Sequence, residues 1–178
     1  ETDMAEDGRE REAAASVLDR AVSLPLTAGA LVAAMAVLLA MALRLPELGR
    51  WAFNPAEGSL ALAARDLIRG NTIPDEMHGM PFVVEWIALF MFLGDTIISI
   101  ARLSMAVAGI AAIIALLGLR GRFGLAPVAA AMALLALSPT LVTASRTLDG
   151  GVLLVALSVL LLVSALRALE GQGLAAPA

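Results

Sequence analysis

The feature that most constrains this chain is a set of long apolar runs with few charged residues inside them. Residues 24–45 form a run of about 22 residues that meets no charge until Arg44. A bilayer core about 30 Å thick needs about 20 helical residues to cross it. Residues 95–119, 125–144 and 152–169 are three further candidates of suitable length. The sequence therefore predicts an all-α, polytopic membrane bundle of about four transmembrane helices.

Composition supports this class and excludes others. The chain is 60% hydrophobic and 16% charged, whereas a soluble domain carries about 45–50% apolar and about 25% charged residues. It has no cysteine, which excludes disulfides and thiolate metal sites. The sequence has no basic patch of the kind that binds nucleic acids. The lipid bilayer is the partner that the composition predicts.

Polar segments flank the predicted membrane module, residues 23–170. Residues 1–22 form a polar, mixed-charge tail, and seven of the 16 acidic residues fall between Glu1 and Asp19. Residues 171–178 form a second tail. The start at Glu1 and the stop after four predicted spans leave two alternatives open, a whole chain or a fragment of a longer protein.

A long polar insert, residues 46–94, separates the first two predicted spans. Within it, "NPAE" at Asn54 to Glu57 is a strong helix start: Asn is a preferred N-cap, Pro suits the first helical position, and Glu at the third can complete a capping box. We expect an amphipathic helix over about 55–69. Residues 81–93 are apolar but too short for a span, which favours a second interfacial helix.

Arginine placement predicts the topology. The short basic loop "RGRFG", residues 120–124, favours the cytoplasmic side because short cytoplasmic loops are enriched in Lys and Arg. The N-terminal tail then lies in the cytoplasm and the insert 46–94 lies outside. We therefore expect a multi-pass protein of the cell membrane, whose polar features gather on the outer face.

Five charged or titratable residues are candidates for a site, and each has a structural alternative. Glu57 either caps its helix or serves as a base or metal ligand. Arg102 lies within a span, where it either snorkels to the surface or pairs with an external acid or a phosphate. Arg146 and Asp149 either form a local ion pair or contribute to a site. His78, the only histidine, is either a surface residue or a weak ligand candidate.

Four ordered segments together resemble the N-terminal part of GT-C glycosyltransferases, in particular the protein O-mannosyltransferase and aminoarabinose-transferase-like group. "NPAEGSLALAARDLIRG" is similar to that family's first external loop, where an acidic motif opens a juxtamembrane helix. "HGMPFVVEWIALFMFLGD" resembles the interfacial helix that follows, and "IARLSMAVAGIAAIIALLGLRGRFG" resembles the next span. "LLALSPTLVTASRTLDGGVLLVALSVLLL" is similar to the next hairpin, with a Ser-Arg pair and an Asp at its external turn.

This resemblance implies transfer of a sugar from a polyprenyl-phosphate donor to an external acceptor by an inverting displacement. It makes Glu57 the catalytic base, or a contact to a metal or the acceptor. Arg102 and Arg146 become candidates for the donor phosphate, which suits guanidinium groups. Asp149 would orient one of these arginines, and His78 would contact the acceptor or the phosphate. A divalent metal requirement stays open.

Two departures from the family favour a second hypothesis. Ala56 stands where the family's first-loop motif carries its first acid, and the chain is much shorter than the family's enzymes. The alternative is therefore a non-catalytic scaffold or assembly subunit with a GT-C-like half fold and a larger membrane partner. A small transporter is a third reading, but the predicted spans lack the paired intramembrane acids and the broken helices expected of one.

Overall fold

The computed structural model describes residues 27–72, 80–94 and 98–171, and within these ranges every regular element is helical. The predicted all-α fold is thus confirmed. In chain order, the elements are α1 (Ala28–Arg44), α2 (Pro55–Ile68), α3 (Pro81–Gly94), α4 (Ile98–Ala115), a 3-10 helix (Leu116–Leu119), α5 (Arg120–Phe123), α6 (Leu125–Leu137), α7 (Pro139–Arg146) and α8 (Gly150–Gly171). His78, the predicted tail 1–22 and residues 172–178 of the predicted tail 171–178 lie outside the described ranges.

Among the described helices, two are long and apolar enough to cross a membrane: Ile98–Phe123 and Gly150–Leu169. A third crossing is possible if α6 and α7 act as one bent span. The helix α1, which we predicted as a full span over 24–45, has 17 described residues, or about 25 Å of helix length. The chain therefore has two to three helices that could cross a membrane, together with shorter apolar helices.

The predicted span over residues 125–144 is broken in the structure. The helices α6 and α7 are bent by 58° at the break between them. Ser138 occupies the break, and Pro139 opens α7. Proline has no backbone N–H and its ring clashes with the preceding turn, so it ends or kinks a helix. The expectation that the apolar runs contain no broken helix is therefore wrong for this stretch, although the Ser-Pro pair signals the break.

The predicted basic loop, residues 120–124, is mostly helical. Residues Ile98–Phe123 form one run that passes through a 3-10 turn, and only Gly124 separates it from α6. Gly124 has a φ of 80°, a left-handed conformation that glycine adopts without a steric penalty. The turn between these two helices is therefore a single residue.

Both short helices predicted within the insert are present, as α2 and α3, and their position at a membrane interface stays a prediction. The predicted capping box opens α2: Asn54 Oδ1 accepts from the Glu57 N–H at 2.8 Å, and Glu57 Oε2 accepts from the Asn54 N–H at 3.1 Å. The buried face of α2 packs against α3 and α4, in a cluster that includes Ala64, Ile87 and Met105.

Two further clusters complete the core. One joins α1 and α6 to α4, and the other joins α4 to α8. Small residues bring the helices close together. A Cβ added to Gly109 on α4 would lie 3.0 Å from Ser145 Cβ and 3.4 Å from Arg44 Nε. The side of α4 that carries Gly109 therefore packs closely against Ser145 of α7 and against the Arg44 side chain at the end of α1.

Candidate functional site at the loop end of the bundle

Glu57 and Arg102 form a buried, two-pronged ion pair. Arg102 Nε donates to Glu57 Oε1 at 3.1 Å, and its Nη2 donates to Oε2 at 2.8 Å. The two side chains are 4% and 7% exposed, respectively. Parallel hydrogen bonds of this kind give both strength and a fixed geometry. The pair fastens the start of α2 to α4, and Arg102 meets an acid of the insert rather than snorkelling to the surface.

The same guanidinium also organises the loop between α1 and α2, residues 45–54. Its Nη1 donates to the carbonyls of Leu48 at 3.0 Å and Trp51 at 2.8 Å, and Nη2 donates to that of Ala52 at 3.2 Å. The guanidinium carbon lies 5.3 Å from the centre of the Phe53 ring, within cation–π range. Arg102 thus satisfies backbone groups that have no partner in regular structure.

The Glu57 carboxylate accepts two further hydrogen bonds from the backbone. Oε1 accepts from the Leu148 N–H at 3.0 Å, in the turn before α8, and Oε2 accepts from Asn54 as described. An ionised carboxylate offers about four lone-pair sites, so each has a donor here. Burial by itself would raise the pKa of Glu57, but the bonds from Arg102, Asn54 and Leu148 outweigh it and lower the pKa. Glu57 is therefore a firmly ionised, fully bonded carboxylate.

Arg146, at the end of α7, binds the end of α1. Its Nη1 donates to the Leu43 carbonyl at 2.9 Å, and its Nη2 donates to the Pro46 carbonyl at 3.1 Å. The carbonyls in the last turn of a helix have no partner within the helix, so Arg146 supplies one. Its side chain is half-buried.

Arg44 has a role that the sequence reasoning missed. An arginine at the end of an apolar run typically snorkels to the surface, but Arg44 is 1% exposed. It donates to the carbonyls of Ala136 at 3.2 Å and Leu135 at 3.1 Å. Both carbonyls lie in the last turn of α6, and Pro139 removes the N–H that would bond to Leu135 in an unbroken helix. The Ser-Pro break was the available signal, but nothing local connects it to Arg44.

A cavity of about 330 Å³ opens beside these arginines; we call it the loop-end cavity. Arg102 and Arg146 contribute to its wall, so the two predicted phosphate-binding arginines do come together. Glu47 also lines it, with a φ of 54°. This left-handed conformation is uncommon outside glycine and costs energy. The lining residues are Glu47, Leu48, Trp51, Arg102, Thr143, Arg146 and Thr147.

Asp149 faces a different cavity, of about 420 Å³, between the starts of α3 and α8. Its Oδ1 accepts from the Gly151 N–H at 2.8 Å, so the carboxylate caps the start of α8. The structure thus joins Glu57, Arg102 and Arg146 but does not bring the Asp149 side chain to them. Within the described residues, no three Asp, Glu or His side chains gather as a metal site would require.

The chain matches no protein-family model, no curated protein and no solved structure. The fold and the geometry of the site are therefore the basis for a functional assignment, together with the resemblance in the ordered segments.

Proposed function

We propose that the chain is the N-terminal membrane module of a glycosyltransferase that uses a polyprenyl-phosphate sugar, and that the loop-end cavity receives the donor phosphate. The observation that carries this proposal is the shared wall of Arg102 and Arg146. Pockets for small ligands have volumes of about 300–1,000 Å³, and this one is about 330 Å³. The resemblance to GT-C enzymes suggests the donor class and an acceptor on the outer face of the cell membrane.

In this proposal Arg146 is the main phosphate contact. A guanidinium has five N–H groups, and two of those on Arg146 are bonded to Leu43 and Pro46. Arg102, by contrast, makes five hydrogen bonds within the protein, and its charge is matched by Glu57. Arg146 therefore retains both donors and charge for a phosphate.

Glu57 then acts as a positioning residue. A catalytic base must receive a proton from the acceptor hydroxyl. All lone-pair sites of the Glu57 carboxylate are already bonded, and the pKa of Glu57 is lowered. By holding Arg102 and the Leu148 turn, it fixes one wall of the loop-end cavity. The same observation favours the second candidate function, a non-catalytic scaffold that binds the lipid donor or a larger membrane partner without transferring the sugar.

The binding test uses the full chain in detergent with a short-chain polyprenyl phosphate, measured by native mass spectrometry. Arg146→Gln removes a charge-assisted contact worth about 1.5–3 kcal/mol, so we expect at least about a tenfold loss of affinity. Arg69→Gln removes an exposed arginine of the same insert and serves as the matched control. Equal affinity of both variants, with unchanged unfolding temperatures, would contradict the proposal.

A second measurement separates the enzyme from the scaffold. Membranes that contain the full-length protein are given a radiolabelled polyprenyl-phosphate sugar, and release of the sugar to an acceptor is followed. Transfer that Arg146→Gln abolishes supports the enzyme. Donor binding that depends on Arg146 without any transfer supports the scaffold.

A further inference from the structure

The end of the bundle far from residues 45–54 carries two exposed arginines beside an apolar pocket. Arg120 and Arg122 lie on α5, at the end of the long helix that begins with α4. The pocket has a volume of about 140 Å³, and we call it the basic-end pocket. Its lining residues, all apolar, are Leu116, Leu119, Phe123, Pro127, Val128 and Ala131.

Both arginines lie next to lining residues of this pocket, although neither belongs to its lining. Arg120 precedes Phe123 by three residues within α5, and Arg122 follows Leu119 by three. Residues three apart are neighbours on a helix surface, so each guanidinium stem starts next to a lining residue. The apolar pocket with two guanidinium groups beside it suits a ligand with two parts. A hydrocarbon chain would fit the pocket, and an anionic head would bind the guanidinium groups.

A third arginine reaches the same end of the bundle from α8. Arg167 Nη2 lies 3.4 Å from the position that a Cβ on Gly118 would take. The sequence contains no Asp or Glu from residue 96 to residue 148, so α4 to α7 supply no carboxylate to neutralise Arg120 and Arg122. Every charged residue of α4 to α7 is therefore an arginine.

We propose that Arg120, Arg122 and the basic-end pocket form a binding site for an anionic phospholipid. The phosphate meets the two guanidinium groups, which suit its geometry, and part of an acyl chain fills the pocket. Basic pockets between transmembrane helices are known to hold anionic headgroups. The uniformly apolar lining favours a lipid over a free phosphate, because apolar side chains offer a phosphate no hydrogen bonds.

The N-terminal segment of the chain is the rival occupant. It carries seven acidic residues between Glu1 and Asp19. It leads into α1, where a Cβ added to Gly29 would lie 3.1 Å from Leu125 Cγ, one residue beyond the Gly124 turn. The basic-end pocket nevertheless favours the lipid, because a hydrocarbon chain fills it without burying a polar backbone.

The test compares phosphatidylglycerol with phosphatidylcholine of matched acyl chains, bound to the full chain in non-ionic detergent and measured by native mass spectrometry. The wild type is expected to prefer phosphatidylglycerol. Arg120→Gln/Arg122→Gln should reduce that preference about tenfold or more, since each arginine near a membrane surface contributes about 1 kcal/mol towards anionic lipid. The control Arg50→Gln/Arg69→Gln removes the same charge from exposed positions of the insert and should leave it intact.

A second variant tests the pocket separately from the charge. Ala131→Phe fills the basic-end pocket and should weaken phosphatidylglycerol binding with both arginines present. Leu134→Phe, on the same helix but 74% exposed and outside the pocket, is the matched control. Soluble glycerol phosphate at the same concentration should not displace the lipid.

Three results would overturn the proposal. Equal binding of phosphatidylglycerol and phosphatidylcholine by the wild type would show that the chain has no site selective for anionic lipid. A loss in the double arginine variant without any loss in Ala131→Phe shows general surface attraction rather than a pocket. A preference that arises only after Glu6, Asp7, Glu10 and Glu12 are neutralised shows that the N-terminal segment occupies the arginines. Failure of this proposal would leave the proposed donor site standing, because Arg120, Arg122 and Ala131 are not among the lining residues of the loop-end cavity.

Discussion

Arginine side chains meet different surroundings at the two ends of the bundle. At the end with residues 45–54, three buried or half-buried arginines donate to backbone carbonyls that lack helical partners. At the other end, Arg120 and Arg122 are exposed beside an apolar pocket. The difference shows two roles for an arginine in an apolar sequence. It can donate hydrogen bonds to backbone carbonyls that lack partners, or it can stay exposed and bind a ligand. Burial and the state of the nearby helix ends decide between these roles.

The largest expected effect comes from breaking the ion pair at the loop end. Arg102→Leu leaves the Glu57 carboxylate buried without its counter-ion, and such a loss typically costs about 3–5 kcal/mol. It also removes the donor to three loop carbonyls. We expect a large fall in the free energy of unfolding, measured by equilibrium denaturation in mixed micelles.

Two comparisons sharpen this result. The double variant Glu57→Gln/Arg102→Leu removes both charges and should be at least about 1 kcal/mol more stable than Arg102→Leu alone, because no lone charge stays buried. Arg69→Leu, at an exposed position, should change stability by less than about 0.5 kcal/mol. A double variant that is no more stable than Arg102→Leu would show that the pair is not the source of the loss.

A smaller effect is expected at the helix break. Arg44→Met removes the donor to Leu135 and Ala136, and unsatisfied buried carbonyls cost about 1–3 kcal/mol. Pro139→Ala restores a backbone N–H within reach of Leu135. The cost of Arg44→Met should therefore be lower in the Pro139→Ala background, as a double-mutant cycle of unfolding free energies would show. Equal costs in both backgrounds would mean that Arg44 acts independently of the break.

The smallest effect within easy experimental reach is the pH dependence of the loop end. The pKa of Glu57 is lowered in the fold from a reference value of 4.5. Its contribution to stability is therefore complete above about pH 4.5 and is lost as the pH falls below that value through the folded pKa. Unfolding measured between neutral pH and pH 4 should show only the start of this loss. The Glu57→Gln/Arg102→Leu variant should lack this component, and an equal slope in both proteins would contradict the assignment.

Local sequence signals predicted the helical elements well. The capping box at Asn54 and Glu57, the start of α3 at Pro81 and the all-α class followed from periodicity, capping chemistry and run length. The break at Ser138 was missed because run length was given more weight than a proline that local rules already identify as a helix breaker. Helix starts depend on neighbours within one turn, so a single sequence contains most of what determines them.

The site was predicted only in part, because its contacts join residues far apart in the sequence. Arg102 pairs with Glu57 across 45 positions, and Arg146 reaches Leu43 across 103. The sequence could suggest that Arg102 meets an acid, but it could not say that the acid would also accept from Leu148. Glu47 gave no signal at all, since its place in the cavity depends on a left-handed turn.

The bond between Arg44 and the end of α6 also has a consequence in time. Its acceptor on Ala136 follows it by 92 positions. Chains are made at about 5–20 residues per second, so for about 5 to 18 s after Arg44 leaves the ribosome its final partners do not yet exist. During that interval its guanidinium needs water or headgroups as hydrogen-bond acceptors. The end of α1 can therefore reach its final hydrogen-bonded arrangement only after α6 has been synthesised.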